Sequence, residues 1–156
     1  MGRSHRTYVS YIDRSRKYYA AKGYAQPYRW AYNDSAPFTP LAKPLSECRV
    51  GLVTTSSLDA DRERELFFAS TSPPPTSMAT AHLFWHQKAT HTNDLGSFLP
   101  LKHLSSLATD GVIGSLAPQF AGAPTLYSQR RTNKNAQLIA DGFRDDGVDL
   151  AILAPL

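Results

Sequence analysis

Cysteine is almost missing from this sequence, since Cys48 is the only one in 156 residues. A single cysteine excludes an internal disulfide and the paired CxxC motifs that bind zinc or exchange electrons. Because Cys48 directly precedes an apolar run, we interpret it as a small buried residue rather than a nucleophile. The sequence therefore contains no redox pair of its own.

Long apolar segments are also absent. No run approaches the ~20 apolar residues that cross a bilayer, and the amino terminus lacks the apolar stretch and cleavage site of a secretory signal. Hydrophobic residues make up 42% of the chain and charged residues 19%, which is typical of a globular protein. We therefore expect one globular chain in the cytoplasm, without a membrane partner.

Motifs of several enzyme classes are missing as well. The sequence contains neither GxGxxG nor the P-loop motif, so a nucleotide site is not indicated, and GxSxG is absent. His82, His86 and His91 are spaced four and five apart, and on a helix the first two could hold a metal. The apolar residues between His82 and His86 favour a strand, where residues four apart are about 13 Å apart. We therefore expect no metal site and no bound cofactor in this chain.

Basic and aromatic residues interleave at the amino terminus. The first thirty residues contain seven Lys or Arg and one acid, Asp13, although the whole chain carries only +4. This combination resembles a surface for single-stranded nucleic acid, but no RRM, KH or OB pattern accompanies it. The favoured interpretation is an amphipathic helix over 7–21, ended near Gly23, that packs on its own domain with cations at its rim. We do not expect nucleic acid as a partner.

A proline-rich and aromatic segment follows this helix. Four prolines, Pro27, Pro37, Pro40 and Pro44, fall within residues 24–46 and disfavour helix and sheet. We predict an ordered arm there. The chain is thus expected to comprise an N-terminal helix and arm over 1–46 and an α/β domain over 47–156.

Short apolar runs alternate with helical patterns in the second part of the chain. The apolar runs predict strands near 50–54, 82–86, 112–117 and 148–154. Helical spacing predicts one helix over Leu101–Ala108 and another that begins near Thr132, each ended by a glycine, Gly111 or Gly147. The Ser/Thr/Pro-rich loop 70–81 is expected to be mobile. The pattern predicts an α/β fold, a mostly parallel sheet flanked by helices in the Rossmann or flavodoxin manner.

Two polar clusters are candidates for binding an anion. Thr54 and Thr55 follow the first predicted strand, where hydroxyl and backbone N–H groups can bind an anion; turn formation alone also explains them. Ser128, Gln129, Arg130 and Arg131 precede the last predicted helix, where the helix dipole favours an anion. The two arginines could fork onto a carboxylate or phosphate, or be solvated surface cations.

Several segments together are similar to one enzyme family. They are "VSYIDRSRKYY", "PYRWAYNDSAPFTPLAKPLSECRVGLVTT", "LPLKHLSSLATDGVIGSLAPQFAGAPTLYSQRR" and "DDGVDLAILAPL". The sequence resembles the selenoprotein B family of glycine/sarcosine/betaine and D-proline reductases, and more closely its short relatives of unassigned substrate. The resemblance covers nearly the whole chain.

The resemblance implies a reductase component whose redox motif is absent from these 156 residues. In the family, the strand that matches "VDLAILAPL" runs into a selenocysteine or cysteine, two residues and a cysteine. There a selenolate or thiolate attacks a carbon next to an activated amine and releases the amine. We therefore expect a selenocysteine, encoded by an in-frame UGA after Leu156, in the full-length product. This chain alone is then expected to be inactive.

The same resemblance implies the role of this chain and its partners. It would supply the scaffold on the substrate side, with Arg130 and Arg131 as candidates for holding a substrate carboxylate. A small amine or carboxylate compound, and a homo-oligomer or other reductase subunits, are the implied partners. The alternative from the residues is a non-catalytic binding or scaffold domain that uses its basic aromatic arm.

Overall fold

The structure of this protein is a computed structural model that describes residues 11–24, 26, 34–35, 39–62, 65–81, 83 and 91–156. The chain divides into two compact units, Met1–Pro37 and Phe38–Leu156. In the first unit, α1 spans Tyr11–Ala21, within the predicted helix 7–21. Residues 25, 27–33 and 36–38 of the predicted arm over 24–46, about half of it, lie outside the described residues. Its described end includes a 3-10 turn at Leu45–Glu47.

The described residues of the second unit form two α-helices and five strands. They are β1 Arg49–Thr54, β2 Phe67–Ser70, α2 Leu101–Thr109, β3 Ser115–Leu116, β4 Gln119–Gly122, α3 Gln129–Asp145 and β5 Leu150–Ala154. Short 3-10 turns also occur at Ala60–Arg62 and Leu95–Ser97. None of the helices formed by the described residues combines the length and apolar character needed to cross a membrane.

The sheet is mixed and mostly parallel. On one side, β1 pairs in parallel with β3 at its start and with β4 at its end. On the other side, β1 pairs in parallel with β5 along five residues of each strand. Among the described strands, β2 and β4 form the one antiparallel pair. The predicted α/β class is confirmed at this level, with β1 as the central strand.

Apolar side chains on both faces of β1 explain its central position. Val50 and Leu52 are 1% exposed and pack with Leu101, Leu104 and Phe120 in the larger core cluster. The other face of β1 packs against α3, where the Phe143 ring lies over Gly51. A side chain at Gly51 would place its Cβ 2.8 Å from Phe143 Cε2, so only glycine fits beneath the ring.

All three helices end at the glycines that the sequence indicates. Gly23, Gly111 and Gly147 have φ between +67° and +84°, a left-handed conformation that glycine adopts without strain. At the end of α3, Val148 N–H donates to Phe143 O and Gly147 N–H donates to Arg144 O. These two bonds form a Schellman motif, and they turn the chain directly into β5.

Several boundaries differ from the predicted ones. The strand predicted over 112–117 is reduced to β3, because residues 112–114 complete the turn after α2, where Val112 and Ile113 donate to Leu107 O. β2 and β4 were not predicted, because each is only four residues long. The predicted strand 82–86 lies outside the described residues, apart from the buried Leu83.

The loop over 70–81, which the sequence predicts to be mobile, forms hydrogen bonds with the rest of the unit near both of its ends. The Thr71 side chain is 8% exposed and donates to Ala117 O at 2.7 Å. At the other end, Ala79 and Ser57 exchange two backbone hydrogen bonds of 2.7 and 3.0 Å. These bonds hold the loop against the unit despite its composition.

The last strand is less buried than the sequence predicts. Leu150, Ile152, Ala154 and Leu156 pack against the larger core cluster. The alternate residues face the other way, and Leu153 is 71% exposed. The apolar run therefore forms a strand at the border of the described sheet rather than one buried on both faces.

Candidate functional site

The carboxyl edge of the parallel strands brings two of the predicted segments to one border of the sheet. Thr54, the last residue of β1, lies opposite Gly122 of β4 and Ala154 of β5. The Ala123 N–H donates to Thr54 O at 2.8 Å and extends this pairing. The chain after β1 and the chain that leads from β4 to α3 therefore leave the sheet at the same edge, where open α/β folds usually bind ligands.

Hydroxyl groups at the end of β1 and just after it form hydrogen bonds within the protein. Thr54 and Ser56 are 0% and 1% exposed, and their hydroxyl oxygens lie 2.9 Å apart. Ser56 N–H also donates to Thr54 Oγ1 at 3.3 Å. Thr55 Oγ1 accepts from Leu156 N–H at 2.9 Å and so ties β5 to the end of β1. These contacts favour a structural role for both threonines, and anion binding by them stays a prediction.

The amino terminus of α3 begins earlier than the sequence predicts. Ser128 is the N-cap, and its hydroxyl oxygen accepts from Arg131 N–H at 3.4 Å. Thr132, the predicted cap, instead donates its hydroxyl to Ser128 O at 3.2 Å. Gln129, Arg130 and Arg131 therefore form the first turn of the helix rather than the loop before it. The prediction failed because Ser128 and Thr132 are both good capping residues.

A basic groove lies along this part of α3. It has a volume of about 560 Å³, and its lining includes Arg130, Arg131, Lys134, Asn135 and Leu138. The two arginines that the sequence singled out are thus together, whereas Thr54 and Thr55 are not among the lining residues. Lys134 and Leu138 were missed. They follow from the i, i+4 spacing once the helix starts at Gln129.

Three cations in this groove lack acidic partners. Among the described residues, no carboxylate lies within 4.0 Å of Arg130, Arg131 or Lys134. The first turn of α3 contains no acidic residue either. Cations near the positive end of a helix dipole are unfavourable, by about 0.3–1 kcal/mol each. An anion in the groove would relieve this repulsion and could accept hydrogen bonds from two guanidinium groups.

Cys48 is far from this groove and fully buried. It lies just before β1, at the amino edge of the sheet, and is 0% exposed. Its Sγ contacts Pro44 O at 3.4 Å and Lys43 O at 3.7 Å. The six residues of β1 separate it from the carboxyl edge by about 20 Å. The prediction that Cys48 is a small buried residue is confirmed.

The amino edge carries a compact set of paired charges. Asp149 accepts from Lys43 Nζ and from Arg49 N–H, both at 2.8 Å. The Arg49 guanidinium donates to Asp146 O at 2.6 Å and to Ser115 Oγ at 3.3 Å. The Lys43 contact, and next the Arg49 N–H, hold the pKa of Asp149 below its ordinary value of 3.8. The same contact raises the pKa of Lys43 above 10.5.

Metal ligation by histidine stays untested. His82 and His86 lie outside the described residues, and His91 Nδ1 accepts from Asn93 N–H at 3.3 Å. Within the described ranges, no three His, Cys, Asp or Glu side chains form a group that could hold a metal ion.

Comparison with protein-family models, with curated proteins and with solved structures finds no match for this chain.

Proposed function

We propose that this chain is the substrate-side scaffold of a selenoprotein B-like reductase, and that the groove on α3 binds the carboxylate of a small amine-containing substrate. The observation that carries the proposal is that Arg130, Arg131 and Lys134 line one groove on the first two turns of α3 and have no acidic partner among the described residues. A carboxylate supplies the missing negative charge. An arginine guanidinium can also donate two parallel hydrogen bonds to the two oxygens of a carboxylate.

The position of the groove supports the same proposal. It belongs to the helix that follows β4, whose end lies beside the ends of β1 and β5 at the carboxyl edge. In the family that the sequence resembles, the redox motif follows the strand that matches β5. A substrate held on the first turns of α3 would therefore lie on the side of the sheet towards which β5 runs.

The redox nucleophile is not supplied by the described groove. Cys48 is the only cysteine of the sequence, and it is buried at the opposite edge of the sheet. The chemistry that the resemblance implies, reductive release of an amine, then depends on a selenocysteine or cysteine outside these residues. What this chain contributes is binding and orientation of the substrate carboxylate.

A titration followed by two-dimensional amide NMR tests the binding role. Glycine, sarcosine, betaine and D-proline are the probes, and glycinamide is the matched ligand without a carboxylate. We expect saturable shifts of the Gln129–Thr132 amides with at least one carboxylate ligand, with a Kd on the order of 1 mM, and none with glycinamide. Shifts of equal size with glycinamide would contradict the proposal.

Paired variants locate the binding to the groove. The double substitution Arg130→Gln/Arg131→Gln is expected to weaken the carboxylate response at least tenfold. The control Lys102→Gln/Arg144→Gln removes the same charge elsewhere, from two exposed residues, and should leave the response unchanged. If both double variants lose the response equally, the binding depends on net charge rather than on this groove.

The nucleotide sequence tests the selenoprotein assignment separately. An in-frame TGA after the Leu156 codon, followed by a cysteine codon within three codons, is the expected result. A TAA codon at that position would refute the assignment to this family, and would leave the carboxylate-binding result to be explained by another enzyme class.

A further inference from the structure

The amino-terminal helix exposes almost all of its described surface. From Asp13 to Tyr24, every side chain except the half-buried Ser15 is exposed. Tyr18 is 59% exposed and Tyr24 is 63% exposed. A helix with so little buried surface gains little from packing, so its exposed residues need another explanation.

Cations and one aromatic ring alternate along one stripe of α1. Arg14, Tyr18 and Lys22 follow an i, i+4, i+8 spacing, with about 6 Å of rise between neighbours. Lys17 lies beside this stripe at i+3 from Arg14. Asp13, the only acid between residues 13 and 24, forms an ion pair with Arg16 at 3.6 Å. The described stripe is therefore positively charged along its whole length.

Three tyrosine rings contact one another at the end of the helix. Tyr19 contacts Tyr18 and Tyr24 edge to face, with ring centroids 5.5 and 5.7 Å apart. The contact with Tyr24 belongs to the Schellman motif at Gly23, in which Tyr24 N–H donates to Tyr19 O at 3.1 Å. The Lys22 ammonium lies 5.7 Å from the Tyr18 ring centre. Tyr18 and Tyr24 thus present ordered rings to solvent beside cations.

We propose that this stripe binds single-stranded nucleic acid, with Arg14, Lys17 and Lys22 on phosphates and with Tyr18 and Tyr24 stacking on bases. Alternating cations and exposed rings are what proteins use to bind single strands without sequence preference. The charge is complementary, because residues 13–24 carry four cations and one acid. A membrane surface fits less well. Residues 13–24 contain no Leu, Ile, Phe or Trp to enter the lipid.

Fluorescence anisotropy with the full chain and a labelled fifteen-nucleotide oligo-dT tests the proposal. The matched probe is an abasic oligomer of the same length, which keeps the phosphates and lacks the bases. We expect binding that weakens with added salt and that is at least about fivefold tighter for oligo-dT than for the abasic oligomer. Equal binding of the two oligomers, or none, would overturn the proposal.

Three variants assign the interaction to named residues. Tyr18→Leu is expected to weaken oligo-dT binding about fivefold or more without affecting the abasic oligomer, whereas Tyr18→Phe should bind like the wild type. Lys17→Gln/Lys22→Gln should reduce the salt slope by about 1.4, since two phosphate contacts are lost. Lys102→Gln/Arg144→Gln removes the same charge elsewhere and should not change the slope.

Competing partners give distinct outcomes. Poly-glutamate that displaces oligo-dT at equal charge concentration would identify an acidic protein surface as the partner, and would overturn the proposal. Phosphatidylglycerol vesicles that bind more tightly than oligo-dT would overturn it in favour of a membrane. Circular dichroism of Tyr18→Leu, which should retain the helix signal, ensures that lost binding reflects the missing ring.

Discussion

The two edges of the sheet differ in whether their positively charged side chains have acidic partners. At the amino edge, Lys43 and Arg49 share the carboxylate of Asp149, and Arg49 also bonds to Asp146 O. At the carboxyl edge, the cations of the groove have no acidic partner among the described residues, and two of them, Arg130 and Arg131, lie in the first turn of α3 at its positive end. The amino edge is arranged to hold strands together, and the carboxyl edge is arranged to receive an anion.

This difference is informative because one chain contains both cations with acidic partners and cations without a described one. Repulsion at the start of α3 costs stability, and an acidic residue in the first turn would remove it. Where a sequence breaks a local rule without a visible compensation, a functional requirement is the expected reason. The contrast between the edges therefore supports a binding role for the groove more strongly than the presence of two arginines does.

Gly122→Ala is the substitution with the largest expected effect, and it disrupts the carboxyl edge. A methyl group at this position would overlap the ring of Phe67, which packs edge to face on the fully buried Phe120. We expect the free energy of unfolding to fall by about 2–3 kcal/mol. Urea denaturation measures this change.

A second substitution verifies that the ring is the cause. Phe67→Leu shortens the obstructing side chain, so the double variant Gly122→Ala/Phe67→Leu should lose less stability than the sum of the single variants. Strict additivity would show that the cost of Gly122→Ala arises from the backbone instead of from the contact with Phe67.

Thr54→Val separates structural hydroxyls from ligand-binding ones at the same edge. Valine keeps the shape of the buried side chain but removes the acceptor of Ser56 N–H and the partner of Ser56 Oγ. We expect a loss of about 1–2 kcal/mol in urea denaturation, and no change in carboxylate affinity measured by NMR. A stable variant with weakened affinity would instead make Thr54 a ligand contact.

Ser56→Ala is the matched variant for this pair. Each single substitution leaves one buried polar group without its partner, so the double variant should cost less than the two single costs together. Independent, additive costs would contradict the hydroxyl pairing on which the structural role of Thr54 depends.

Helix ends and the central strand could be predicted because local chemistry determines them. Gly23, Gly111 and Gly147 end the three helices as predicted, since a left-handed residue is required there and glycine supplies it. β1 was found because both of its faces are buried, which produces a continuous apolar run. These features need no knowledge of distant neighbours.

Other features depend on contacts between residues far apart in sequence. β2 and β4 are four residues each, and their pairing places Phe67 opposite Gly122, a relation that no local pattern encodes. The arginines of the groove were found as residue types, but their position on α3 depended on which capping residue, Ser128 or Thr132, begins the helix. The groove itself required the helix to be placed one turn earlier.

Arg131→Glu should replace a positive charge by a negative one at the carboxyl edge. Its effect on the free energy of unfolding is expected to be smaller than those of Gly122→Ala and Thr54→Val. Glutamate at the third helical position would complete a capping box with Ser128 and place a negative charge at the positive end of α3. We expect a gain of about 0.5–1 kcal/mol in unfolding free energy, together with at least a tenfold loss of carboxylate affinity. Arg144→Glu at the other end of the helix should lower stability and leave affinity unchanged.

Opposite signs for stability and affinity are the decisive part of this result. If Arg131→Glu lowers both, the arginine has a structural contact that the groove does not explain. If it raises stability and affinity remains, the carboxylate binds elsewhere, and the contrast between the edges reflects stability alone.

Asp149→Asn probes the amino edge, and its effect is expected to be the smallest because the carboxylate and Lys43 are partly exposed. The pKa of Asp149 in the folded protein lies below 3.8, first through Lys43 and then through Arg49 N–H. Its contribution is therefore complete at pH values above the unfolded pKa and is lost as the pH falls through the folded pKa. We expect the urea midpoint of the wild type to exceed that of Asp149→Asn at pH 6, and the difference to shrink as the pH falls below about 4.

The control is Asp145→Asn, which removes a different carboxylate, at the end of α3. The same pH dependence in that variant would show that general charge, rather than the Lys43 and Arg49 contacts, stabilises this edge.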